Sequence, residues 1–245
     1  MSAGQQPEIS GTFRRAALYL ALAEGFCYPR EESLAVFRTR LRTLLASSDE
    51  WPARMADLRR SVADALRRLE TAAPEVLEQE YLPLFGPAAL CPLTETSWGD
   101  AARLLGKAAQ LADISGFYRA FRLQPREDRD QVPDDHLASE LEFMSVLCLK
   151  EANALHRDLG EALEITRDAQ KKFLQDHLAT WVDFWAESVT ENAPGSGYAA
   201  LALAVQSLLR LETDRLQVQP ARIRTRAADS EAGGDEFTCP LAGRA

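Results

Sequence analysis

Acid–base or metal chemistry has few places to happen in this chain, because His136, His156 and His177 are its only histidines. His136 and Glu140 stand four residues apart, on one face of a helix, where their side chains can touch. With His177 they would offer a metal two nitrogens and a carboxylate, but no Glu-x-x-His pair or further carboxylate cluster completes a site. A helical metal-dependent enzyme using His136, Glu140 and His177 is therefore the runner-up reading. Nucleophilic catalysis has still less to work with. No Gly-x-Ser-x-Gly elbow occurs, and Cys148 and His156 would lie about 12 Å apart along a helix at a rise of about 1.5 Å per residue. Cys148 also falls on an apolar stripe, where a thiol is core. No glycine-rich loop of the phosphate-binding kinds is present. His177, Trp181 and Trp185 recur at four-residue intervals, a spacing that reads as packing rather than as a cofactor box.

Two runs point to binding instead. Glu80-Tyr81-Leu82-Pro83-Leu84-Phe85-Gly86-Pro87 carries an apolar helical pattern that stops at Gly-Pro and opens into a loop. That loop, residues 86–96, holds Ala88, Ala89, Leu90 and Leu93, prolines at 87 and 92 stiffen it, and Trp98 follows it. A stiff apolar loop loses little entropy when it presents a binding surface, and an indole is favoured at interfaces. The second run, Pro133-Asp134-Asp135-His136-Leu137-Ala138-Ser139-Glu140-Leu141-Glu142-Phe143-Met144, starts a helix. Asp134 or Asp135 is expected to cap it, with the carboxylate meeting free N–H groups at the positive end of the dipole. The two runs are expected to form the rims of one groove.

The elements that must position these runs are helical. Residues 12–26 form a helix capped by Thr12, and residues 31–47 place Leu34, Phe37, Leu41, Leu44 and Leu45 on one stripe. Over residues 52–70, Met55, Leu58, Val62, Ala65, Leu66 and Leu69 follow the amphipathic period, with Pro52 suited to the first turn. A helix from Pro74 buries Val76, Leu77, Tyr81, Leu84 and Phe85, and Pro83 inside it implies a kink or an early end. Further helices are expected over residues 97–121, 133–157, 161–191 (with a break near 167–169) and 198–216, with a polar connection over 122–132. No alternating strand pattern longer than four residues appears. The fold class is all-α, a single-domain helical bundle: residues 1–11 a flexible N-terminus, 12–217 the helical domain, and 218–245 a disordered tail.

Bulk composition narrows the function. With 37 acidic against 28 basic residues the formal net charge is −9, so the chain repels a phosphate backbone and nucleic acid is excluded as a partner. Four cysteines without a Cys-x-x-Cys pair exclude a zinc ribbon. The first ten residues lack the charged and apolar regions of a signal peptide, and residues 16–23 are too short an apolar stretch to span a bilayer. A cytoplasmic protein without stable membrane insertion is expected, either a monomer or a domain-swapped oligomer.

At these residues the chain resembles the TorD/DmsD/NarJ family of redox-enzyme maturation chaperones. The family pattern of an acidic-aromatic-x-x-Leu-Phe segment before Gly-Pro is matched by Glu80, Tyr81, Leu84, Phe85, Gly86 and Pro87. Its loop is matched by Pro92 and Glu95, and its Asp-His-x-x-x-Glu-Leu-x-Phe-Met stretch by Asp135, His136, Glu140, Leu141, Phe143 and Met144. His177 and Trp181 match a further element, and the similarity spans residues 14–216. There are departures: no extra residue precedes Gly86-Pro87, Asp134 is added, and Leu93-Thr94 stand where the family loop has an aromatic, with Trp98 the candidate replacement. The resemblance implies a TorD/DmsD-like helical chaperone, with no catalysis and no cofactor of its own. Such a protein binds the apo catalytic subunit of a molybdopterin oxidoreductase of the dimethyl-sulfoxide-reductase type, through its N-terminal twin-arginine signal peptide, while cofactor is inserted. Leu84, Phe85, Leu93 and Trp98 are expected to line the client groove and Glu80, Glu95, Asp134 and Asp135 to edge it, with Tyr81, Pro92, His136 and Glu140 completing the client-binding set.

Overall fold

A computed structural model describes residues 5–46, 51–99, 104–123 and 132–225. Apolar residues repeating every three or four positions fold this chain into nine α-helices among the described residues: α1 (Gln5–Gly25), α2 (Glu31–Ala46), α3 (Ala56–Glu70), α4 (Pro74–Phe85), α5 (Leu104–Ala120), α6 (Leu137–His156), α7 (Gly160–Phe173), α8 (Ala179–Asn192) and α9 (Gly197–Leu216). The expected all-α class is borne out. The main packing pairs are α1 with α6, α3 with α9, α6 with α7, and α8 with α9. Close approach is helped at Gly25 and Gly197, where a Cβ would collide with Leu201 and Leu69 respectively.

Local expectations fare unevenly. α1 begins seven residues before Thr12, whose hydroxyl donates to Glu8 O inside the helix and caps nothing. The expected break near 167–169 is absent. α7 and α8 are joined instead by a π-helical turn, Leu174–Leu178, that keeps the chain helical from 160 to 192. A π turn inserts an extra residue and re-aims the side chains that follow. Val76, expected inside, is exposed. The expected fifth helix starts late, because residues 95–97 form a single 3₁₀ turn and Trp98 is extended. Most of the expected connection over 122–132, and the tail beyond 225, lie outside the described residues.

Two interior features hold the bundle. Phe26, Tyr81, Phe85, Trp185 and Tyr198 meet mostly edge to face, with centroids 5.1–6.5 Å apart. Such contacts add about 0.5–1.5 kcal/mol each beyond area burial. Elsewhere the buried Arg15 guanidinium of α1 donates to Glu212 Oε1 and Oε2 of α9 at 2.8 and 2.7 Å, to Glu151 Oε2 of α6 at 2.9 Å and to Gln170 Oε1 of α7 at 2.5 Å. Burial alone would raise the Glu151 carboxyl, but Arg15, Gln170 and Arg167 outweigh it and hold its pKa at about 2. Cys148, beside this network, is core as expected; burial pushes its thiol up to about 12, and His156 is exposed.

Candidate client-binding site

The site is built from the end of α4 outward. Tyr81, Leu84 and Phe85 occupy the buried face of that helix, and Tyr81 Oη donates to Phe26 O at 3.1 Å. The Gly86 N–H closes the last turn on Leu82 O at 2.9 Å. A Cβ on Gly86 would stand 2.5 Å from that same oxygen, so the tight exit needs glycine. The chain then doubles back, with Leu90 N–H donating to Pro83 O at 3.0 Å and Cys91 N–H to Leu84 O at 2.8 Å. The last carbonyls of α4 are satisfied by its own loop. Outside, Leu82, Pro83, Pro87, Ala88 and Leu90 are left exposed, with Glu80 half-buried beside them.

The proline-containing loop and the Asp-His turn lie side by side. Glu95 N–H donates to Asp135 O at 2.9 Å and Leu137 N–H to Leu93 O at 2.7 Å, forming one antiparallel bridge between Thr94 and His136. The sequence brought both runs to one place, but as a suture rather than as two rims facing across a gap. Asp135 is buried; its Oδ2 accepts from Thr96 N–H at 3.2 Å and Thr96 Oγ1 at 2.6 Å. Neither aspartate caps α6. Asp134 accepts from Ser115 Oγ at 2.5 Å, while His136 is the N-cap, its Nδ1 accepting from Ala138 N–H at 3.1 Å. Burial pulls the His136 pKa down to about 4, against the opposing charge of Asp135, so the ring is neutral and its Nδ1 lone pair is free to cap.

Half of the expected acidic fringe is interior: Glu95 and Asp135 are buried, whereas Glu80 and Asp134 keep some exposure. Glu95 and Glu140 are both fully buried. Glu95 Oε1 accepts from Gln110 Nε2 and pairs with His177 Nδ1 at 3.2 Å, and His177 Nε2 reaches Asp113 Oδ2 at 3.2 Å. Burial works against the His177 cation, yet its bonds to Glu95 and Asp113 win and raise its pKa above the ordinary value. Glu140 is pushed well above the carboxylate range, first by burial and then by the nearby charge of Glu95; the weak bond from Trp181 Nε1 at 3.4 Å opposes this only slightly. Glu95 Oε2 and Glu140 Oε1 are buried without a hydrogen-bond partner, a cost that a neutral Glu140 lowers.

Several expectations about the groove are therefore corrected. Leu84, Phe85, Leu93 and Trp98 do not line an open hollow. They are packed, Trp98 most completely, with its ring stacked on Trp181 at 6.4 Å, edge-on to Phe184 at 5.5 Å, and its Nε1–H donating to Pro92 O at 3.1 Å. Of the residues expected at the site, Glu80, Pro92, Asp134 and His136 keep some exposure, while Tyr81, Glu95, Asp135 and Glu140 are beneath. The runner-up metal site fails on geometry. His136 Nδ1 is spent on the cap and His177 is held by Glu95 and Asp113. Among the described residues no three His, Cys, Asp or Glu side chains are arranged to hold a metal. Sequence reading missed Thr96, Gln110 and Asp113, which lie 15–64 residues from their partners and carry no local signal.

A family model described as "Nitrate reductase delta subunit" matches residues 48–187, which include all of this loop-and-turn suture. The chain belongs to that family. The resemblance to TorD/DmsD/NarJ-type chaperones read from the motifs is thereby confirmed. Among curated proteins the chain is 32% identical over 169 residues to the chlorate reductase assembly chaperone protein of Ideonella dechloratans, covering 66% of this chain and 85% of the relative. It is 36% identical over 152 residues to the selenate reductase assembly chaperone protein of Thauera selenatis, covering 61% and 75%. Chaperone protein TorD of Vibrio atlanticus is 26% identical over 161 residues, covering 64% and 72%. These names are those of assembly proteins rather than catalysts, in line with the reading of a binding protein. No helix among the described residues is long and apolar enough to cross a membrane.

Proposed function

We propose that this chain is a cytoplasmic assembly chaperone for the apo catalytic subunit of a molybdopterin oxidoreductase, an oxyanion reductase by analogy with its chlorate- and selenate-reductase relatives. It holds the N-terminal segment of that subunit, including a twin-arginine signal where one is present, until cofactor is inserted. The observation that carries the reading is the apolar surface at the exit of α4. Leu82 and Leu90 are each 44% exposed, flanked by Pro83, Pro87 and Ala88, and the loop that carries Leu90 is pinned to the end of α4 by Leu90 N–H on Pro83 O and Cys91 N–H on Leu84 O. Exposed apolar side chains on a rigid frame suit capture of a greasy peptide, since little ordering entropy is lost on binding. Glu80 at the edge would set the register of a basic client residue, and Pro92, Asp134 and His136 extend the surface toward α6. Tyr81, Leu84, Phe85, Leu93, Glu95, Trp98, Asp135 and Glu140 act from below, as the scaffold that fixes it.

The protein, tagged and recovered from its native cells, should carry one oxidoreductase catalytic subunit lacking its molybdenum cofactor. Recovery of no such subunit, or only of the fully loaded enzyme, contradicts the proposal.

A further inference from the structure

After α9 the chain does not leave the bundle. Gln217 adopts a left-handed conformation (φ 54°), and Val218 N–H returns to Thr213 O at 3.1 Å, turning the backbone across α8. There Arg222 Nη1 pairs with Asp183 Oδ2 at 3.1 Å, and Ile223 N–H donates to Thr180 O at 2.8 Å. Two residues on, Thr225 O accepts from Gly99 N–H at 2.8 Å. Gly99 has φ +74°, and a Cβ there would stand 3.1 Å from three atoms of Ile223, so the absent side chain is what lets the isoleucine lie against the backbone. Gly99 directly follows Trp98, the residue that closes the sutured loop over Trp181 and Phe184.

Residues 218–225 thus form a non-helical strap held at few points. Val218 is buried and Ile223 partly so, while Gln219, Ala221, Arg222, Arg224 and Thr225 are exposed. An element with so little buried apolar surface opens at low cost. What it occupies is a ready-made peptide seat: two backbone groups for an extended chain, an apolar spot on Gly99 and a carboxylate, Asp183, for a neighbouring cation. Main-chain bonds to an exposed edge supply affinity and the adjoining pockets supply selectivity in peptide recognition of this kind.

We propose that the α8–Gly99 face is a second docking site for an extended client segment in which a basic residue adjoins an apolar one, and that residues 218–225 occupy it as an internal stand-in until the client displaces them. The chemistry of the displacing segment is read from Arg222 and Ile223, which already fit. The idea rests on the chaperone reading above and extends it.

Hydrogen–deuterium exchange on the full chain tests it without any substitution. On adding the apo catalytic subunit that copurifies with the protein, the Gly99 amide keeps its protection, because the client replaces Thr225 as acceptor. The Ile223 amide exchanges at least tenfold faster. Protection of Ile223 that is unchanged or raised in the complex overturns the proposal while leaving the chaperone reading intact; failure of any catalytic subunit to bind overturns that reading instead. As a second arm, the full-length double variant Arg222→Glu with Ile223→Asp releases the strap and leaves the face whole. It should bind the same subunit at least threefold more tightly at an unchanged melting temperature of the bundle. Equal or weaker affinity, or a stable dimer in which a second copy supplies the segment, counts against a client-exchangeable strap.

Discussion

Asp135 holds Thr96 twice, accepting from its amide at 3.2 Å and its hydroxyl at 2.6 Å across 39 residues of sequence. This pair fastens the Pro-containing loop to the start of α6. Charge-assisted hydrogen bonds contribute about 1.5–3 kcal/mol, and a stranded buried amide adds its own desolvation cost. Asp135→Ala should therefore lower stability by about 2–4 kcal/mol in urea denaturation and accelerate amide exchange over residues 94–98. A loss below about 0.5 kcal/mol would show that the loop is held by other contacts.

His136 caps α6 only while neutral. Its folded pKa, about 4, lies below the ordinary 6.5, so the unfolded chain takes up the proton first as pH falls. The contribution is complete above pH 6.5 and is lost between 6.5 and 4, amounting to at most about 3 kcal/mol. Asn is a good N-cap that does not titrate. His136→Asn should match the parent near pH 7.5 and exceed it at pH 4.5; identical pH–stability curves for the two proteins would refute the assignment.

Glu140 runs the other way. Its pKa is raised in the fold, so its contribution is present below about pH 4.5 and is lost as pH rises toward the folded value. Glutamine keeps an acceptor for Trp181 and has no proton to lose. Glu140→Gln should be about as stable as the parent at pH 4.5 and more stable by roughly 1 kcal/mol at pH 8, judged by chemical denaturation at both values. A variant destabilised at pH 8 would mean that Glu140 is ionised.

Arg15 ties α1 to α6, α7 and α9 through Glu151, Gln170 and Glu212. Removing it leaves Glu151 with Arg167 and Gln170 and Glu212 with Arg215, so the cost is about 2–3 kcal/mol, below that of a buried charge left wholly unpaired. Arg15→Ala should fall by that amount at pH 7 in equilibrium unfolding, whereas Arg60→Ala, at an exposed i,i+3 pair with Asp57, should change stability by less than about 0.5 kcal/mol. Similar small losses at both positions would remove the network from any role in stability.

Helix order and the buried faces of α2, α3, α6 and α9 were legible because apolar residues recur at helical intervals with little interruption. Val76 misled because it shares that period while its helix sits at the surface. The π turn at Leu174–Leu178 leaves no mark in composition, so the continuity of α7 and α8 was hidden. At the site, the motifs identified the right two runs, yet which side chains point outward depends on tertiary pairing. Glu95 reads as an exposed loop acid until His177, 82 residues away, is placed against it. Residues 218–225 read as tail because the stretch they open, to 245, is rich in Ala, Gly, Arg and Asp; the anchors, Thr180 O and the Gly99 amide, are backbone groups that no side-chain pattern reports.

Titration calorimetry reads out whether a client is gripped on the apolar surface at the exit of α4. A peptide spanning the N-terminus of the copurifying catalytic subunit is added to the parent protein and to the variant Leu82→Asp with Leu90→Asp. Both side chains are 44% exposed, so the variant should melt within a few degrees of the parent, consistent with the small effect of surface substitutions. One-to-one binding to the parent, weakened at least tenfold in the variant, is the predicted result; equal affinity for the two proteins would contradict it.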